Sequence, residues 1–137
     1  MDRQQHEQVA KAFLDALGRG DTATMSRLST DDLTWWIMPG NKFSGVHAKQ
    51  AYLAALPKLF DNACGPLKLD YHETTGEADR LAVVARGDLP MKDGRHYRNI
   101  YHFLLHFRDG KISSGQEFTD SLHINEIFGP PDDPRAG

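Results

Sequence analysis

Val9, Ala10, Phe13, Leu14, Ala16 and Leu17 recur at helical spacing, which predicts a helix over residues 4–17. Gly18 and Gly20 stop it, and Asp21 is placed to cap a short second helix from Thr22 to Leu28. The β-branched and aromatic run from Leu33 to Met38 predicts a strand ended by Pro39-Gly40. After Gly45 a third helix is expected from about Val46 to Leu59, with Ala51, Tyr52, Ala55, Leu56, Leu59 and Phe60 as its apolar stripe. Pro57 lies inside that stripe and should kink the helix or end it early. Strands then take over: Leu67 to Thr75, a turn at Gly76-Glu77-Ala78-Asp79, and Arg80 to Leu89. Met91-Lys92-Asp93-Gly94 leads into two long strands joined at Arg108-Asp109-Gly110-Lys111. Asp-Gly between apolar runs is a strong hairpin signal, because both central residues of the favoured turn need positive φ. Tyr97, Ile100, Tyr101, Phe103, Leu104, Leu105 and Phe107 form a run apolar on both faces, as expected of a strand buried on both sides. Asp120 is a natural cap for a last helical turn from Ser121 to Phe128, and residues 129–137 read as a frayed tail. Helices first and an antiparallel meander afterwards predict an α+β domain, with helices on one face of a curved sheet.

Composition narrows the function classes. The chain of 137 residues is read as one domain (1–137, core about 4–128), with 39% hydrophobic and 26% charged residues. A net charge of −3 argues against the basic face that nucleic-acid binding needs. No apolar run approaches the roughly 20 residues that span a bilayer, and the polar start lacks the apolar core of a signal peptide. The single Cys64 allows no internal disulfide and fits a reducing cytoplasm. No P-loop, dinucleotide-binding glycine pattern or Cys/His cluster is present, so no cofactor and no metal are expected.

Side-chain alternation puts Arg86 and Asp88 on the same face of their strand. On the next strand Asn99, Tyr101 and Phe103 share one parity, and Ile100, His102 and Leu104 share the other. Trp35 and Trp36 must face opposite ways, and Trp36 with Met38 is taken as the pair nearer a pocket. Phe13, Leu17, Tyr52, Leu56 and Phe60 are pocket-wall or core candidates. His47 reads as a first-turn helix residue.

Three segments together carry a resemblance: the opening helix with its Gly-x-Gly-Asp break, the Trp35-Trp36 strand running into Gly45 and the third helix, and the closing Asp-Gly hairpin ending in Glu117-Phe118-Thr119-Asp120. The chain resembles the nuclear-transport-factor-2-like superfamily in its polyketide-cyclase-like (SnoaL-like) branch, to which ketosteroid isomerase and limonene epoxide hydrolase are related. The resemblance implies a cone: a strongly curved mixed or antiparallel sheet closed by three N-terminal helices around an apolar pocket, often dimeric through the outer sheet face. It places Asn99, Tyr101, Phe103 and Thr119 in the pocket, and His102 outside at a dimer contact; the opposite register, with His102 inside, stays open. It also makes Arg86, Asp88 and Glu117 similar to the Asp-Arg-Asp site of limonene epoxide hydrolase. Two carboxylates in unequal surroundings, bridged by a guanidinium, can act as acid and base. Trp35 and Ile37 stand where that hydrolase holds its water with neutral polar residues, and Phe13 and Leu17 occupy the helix from which ketosteroid isomerase offers a phenol. The expected activity is therefore cofactor-independent acid–base chemistry of isomerase or cyclase type, less so epoxide hydrolysis, on a small hydrophobic ring-bearing molecule. A non-catalytic binding module and a dimeric scaffold are the alternatives.

Overall fold

The computed structural model describes residues 2–131. Of the expected frayed tail, residues 132–137 lie outside that range. α1 (Arg3–Arg19) and α2 (Thr22–Arg27) lead into β1 (Ser29–Ile37) and a short β2 (Gly45–Ala48). α3 (Lys49–Ala55) passes into a 3₁₀ turn (Leu56–Phe60), and the strands β3 (Lys68–Glu77), β4 (Arg80–Pro90), β5 (His96–Arg108) and β6 (Lys111–Thr119) follow, with α4 (Ser121–Phe128) last. Asp21 and Asp120 cap α2 and α4 through their carboxylates, accepting from the backbone N–H of Thr24 and His123. The third helix is shorter than the apolar stripe suggested. Val46 and His47 pair as strand with Trp36 and Trp35, and the α-helix ends two residues before Pro57, which lacks the N–H that an α-turn needs.

The six strands form one curved, unclosed sheet in the order β2-β1-β6-β5-β4-β3. Only β1 and β6 run parallel; the other neighbours are antiparallel. Asp109 (φ 52°) and Gly110 (φ 78°) form the two-residue turn between β5 and β6, with Arg108 opposite Lys111. Along β4 the inward parity is Leu81, Val83, Ala85, Gly87 and Leu89; along β5 it is Tyr97, Asn99, Tyr101, Phe103, Leu105 and Phe107. β5 is therefore buried on one face only. Ile100 and Leu104 look outward, so its apolar run does not mark a doubly covered strand.

α1 packs across β3, β4 and β6, closing the concave side of the sheet. Phe13, Leu14, Met25, Leu33 and Trp35 are buried there with Leu81, Val83, Leu105 and Ile112. Trp35 lies flat over Gly115 of β6, where a Cβ would overlap the indole ring. That missing side chain lets the indole reach the middle of the molecule.

Candidate functional site

Between the concave face and the helices lies a cavity of about 460 Å³. Its walls are Leu17 of α1, Ile37 of β1, Tyr52 and Leu56 near α3, Tyr97, Tyr101 and Phe103 of β5, and Ile124 and Phe128 of α4. His47, Glu117 and, toward the opening, the exposed Lys42 and Lys58 add polar groups.

Among the described residues, Glu117 is the one carboxylate in this lining. It stands beside Ile37 on the parallel β1–β6 ladder, and Trp35 Nε1 donates to its Oε1 at 3.1 Å. Burial pushes the Glu117 carboxyl up from 4.5 to about 7, and the indole hydrogen bond only partly opposes that rise. Near neutral pH this group can either take a proton or give one.

Tyrosines surround it. Tyr52 stacks on Trp35 with ring centroids 5.5 Å apart, and its hydroxyl makes no hydrogen bond among the described residues. Burial first, and the charge of Glu117 second, hold its phenol well above the ordinary range, so it stays a proton donor. Tyr101 donates to Tyr97 Oη at 3.2 Å, and Asn99 Nδ2 donates to the same oxygen at 3.0 Å. Burial pushes Tyr97 up to about 12 and Tyr101 well above the ordinary range. Asn99 also accepts from the backbone N–H of Asp120, so it ties β5 to the start of α4.

The expected trio does not assemble. Arg86 and Asp88 project from the convex face of β4, opposite in parity to Gly87 and Leu89, and never meet Glu117. Asp88 is paired instead with His96 Nδ1 at 2.8 Å and, more loosely, with Arg98 Nε at 3.5 Å, and these neighbours lower its pKa, the His96 hydrogen bond foremost. The pair nearer the cavity is also reversed. Trp35 and Ile37 face inward, while Trp36 packs on Phe118 at 5.1 Å on the outer face and Met38 Sδ accepts from the Thr119 N–H at 3.0 Å. Phe13 is core behind Trp35, their rings 5.5 Å apart, and Phe60 packs against the end of α1; neither lines the cavity. Leu17, Tyr52, Leu56, Tyr101 and Phe103 do line it. Thr119, opposite Tyr101 at the strand end, donates its hydroxyl to the Ile100 carbonyl. His102 is exposed on the outer face beside Phe118.

His47 was not anticipated in the lining, because its four-residue strand carries no periodic signal of its own. Tyr97 shares the inward parity of Tyr101, and that parity could have found it. Among the described residues, no group of three or more His, Cys, Asp or Glu side chains could hold a metal ion. No helix among them is long and apolar enough to cross a membrane.

A family model for the SnoaL-like domain matches residues 10–115. The chain belongs to this family. Solved structures agree on the architecture. This SnoaL-like chain is similar to an NTF2-like protein from Burkholderia xenovorans (26% identity, TM-score 0.72, covering 92% of this chain and 97% of that one). It is also similar in fold to TerC, crystallised with polyporic acid (16%, TM-score 0.77, covering 90% and 97%). A third match is IdmH from Streptomyces antibioticus, a candidate polyketide cyclase (15%, TM-score 0.75, covering 91% and 99%). No curated protein matches the chain in sequence. The curved sheet and helices are thus the NTF2-like cone in its SnoaL-like form.

Proposed function

We propose that this SnoaL-like protein binds a small hydrophobic, ring-bearing molecule in its cavity and moves a proton on it without a cofactor, as an isomerase or cyclase does. The observation that carries this reading is Glu117, a lone carboxyl held near neutrality in an aromatic cavity that it shares with the unpartnered Tyr52 hydroxyl. In this reading Glu117 removes a proton from a carbon beside a carbonyl group, and Tyr52 donates a hydrogen bond to the carbonyl oxygen as negative charge grows there. Glu117 then returns the proton at a second carbon. Arg86 and Asp88 take no part. The crystallisation of TerC with polyporic acid and the description of IdmH as a candidate polyketide cyclase support the choice of substrate class. The single cysteine favours a cytoplasmic setting.

The test uses 2-tetralone in D₂O, followed by NMR for deuterium uptake at its activated carbons. The wild type is expected to accelerate uptake over buffer, and Glu117→Gln to lose at least about 100-fold of that acceleration, the usual size of a general acid–base contribution. Binding of the ketone without accelerated exchange would overturn the enzymatic reading in favour of a binding module.

Assembly is a second part of the proposal. Val46, Ile100 and Phe118 are exposed on or beside the convex face, with Trp36 half-buried among them. Asp70, Arg86, Asp88 and Arg98 lie next to this patch and carry both signs of charge. A patch flanked by both signs is complementary to itself, which fits a second copy of the chain across a two-fold axis.

A further inference from the structure

His47 also lines the cavity, and an imidazole has one ring nitrogen that can donate and one that can accept a hydrogen bond. It sits opposite Trp35 on the β1–β2 ladder and shares the inward parity of that indole. Its Nε2 lies 2.7 Å from the carbonyl oxygen of Phe43. A carbonyl oxygen only accepts, so Nε2 carries a proton, and Nδ1 is the ring nitrogen left to hold a lone pair. That nitrogen makes no hydrogen bond among the described residues. It is not sealed away either: the one fully buried side-chain atom left without a partner there is Asn125 Oδ1. The Tyr52 ring lies beside the imidazole, 6.1 Å between centroids, and the same ring stacks on the Trp35 indole that donates to Glu117. The cavity therefore offers a hydrogen-bond acceptor at His47, a donor at Tyr52 and a carboxyl at Glu117, around aromatic walls.

We propose that His47 Nδ1 accepts the proton of a phenolic or enolic hydroxyl on the bound ring, which makes hydroxylated ring compounds the substrate class of this cavity. This inference rests on the reading of the cavity as a ring-binding site. In the full step the substrate O–H bond breaks and the Nδ1–H bond forms. The oxygen electron pair moves into the ring as a ring carbon takes a proton from the Glu117 carboxyl, and it returns to oxygen when the Glu117 carboxylate takes a proton back from that carbon; meanwhile the imidazolium is steadied by the Phe43 carbonyl at Nε2–H. The same proton returns from Nδ1 to oxygen when product forms. Without a hydroxyl on the ligand, Nδ1 would lose its water and gain no partner, and a ligand lacking the group is disfavoured for that reason.

The probes are 2-naphthol and its methyl ether, titrated into the full-length protein labelled with ¹⁵N in histidine and tryptophan. The expected result is that both move the Trp35 indole resonance, that only 2-naphthol moves His47 Nδ1, and that 2-naphthol binds about tenfold tighter, the value of one buried hydrogen bond. His47→Gln keeps a side-chain amide to donate to Phe43, and it should abolish that preference while still binding the ether. Equal affinity for the two probes, or a free protein with the proton on Nδ1, would overturn the role of His47 and leave the ring-binding reading standing. If neither probe moves the Trp35 indole, the ring-binding reading falls and takes this inference with it.

Discussion

Glu117 couples the chemistry of the cavity to the stability of the fold. Unfolded, its carboxyl titrates near 4.5; folded, near 7. Between those values the folded chain holds one proton more than the unfolded chain, so this group lowers stability as pH rises through the window. The loss levels off above the folded value and amounts to about 3 kcal/mol. Glu117→Gln removes the liability. The variant should match wild type in urea denaturation at pH 4 and exceed it by up to about 3 kcal/mol at pH 8, and an equal gap at both pH values would contradict the assignment. Asp88 makes the contrast. Its carboxylate is nearly half exposed (45%) and its partners His96 and Arg98 are solvated, so the pairs contribute well under about 1 kcal/mol. Asp88→Asn should leave ring-ligand affinity and deuterium exchange as in wild type; a tenfold loss of exchange would return this residue to the catalytic machinery.

At the scale of elements, the site depends on one ladder position. Trp35 reaches Glu117 only because Gly115 leaves room for the indole on the neighbouring strand. Gly115→Ala puts a methyl group into that ring in a packed core, and should destabilise the fold by about 3 kcal/mol in chemical denaturation. A change below about 0.5 kcal/mol would mean that the indole can move aside cheaply. The same ladder explains what could be read from the chain and what could not. The Asp109-Gly110 turn and the caps at Asp21 and Asp120 are local chemistry, and residues within four positions of each other declare them. The facing of β4 was also legible: Leu81, Val83, Ala85 and Leu89 occupy one parity, which sends Arg86 and Asp88 to the other. Likeness to a three-residue hydrolase site obscured that alternation. The choice between Trp35 and Trp36 was legible only through their neighbours, Leu33 and Ile37 on the parity of Trp35 against Thr34 on that of Trp36. A glycine on a distant parallel strand, Gly115, gives the inward indole its room. β2 owes its conformation to pairing with β1, and so His47 could not be placed before the sheet was known.

At the scale of the whole molecule, the sheet has two faces with different tasks. The concave one closes around the cavity, and the convex one leaves Ile100 and Phe118 uncovered. If a second copy covers them, light scattering at micromolar concentration should give a mass near twice that of the chain, and Phe118→Glu should reduce it to one by placing a buried charge at the contact. A monomeric wild type would remove assembly from the proposal. The parallel pairing of β1 with β6 bears on how the chain is made. Trp35 and Glu117 are 82 positions apart, with β2 to β5 synthesised between them. On a ribosome, β1 therefore emerges long before the strand that fixes its inner edge. Contacts of such wide separation close slowly, because loop entropy is spent before they form. The cavity wall therefore stays open until β6 has also left the tunnel and paired with β1.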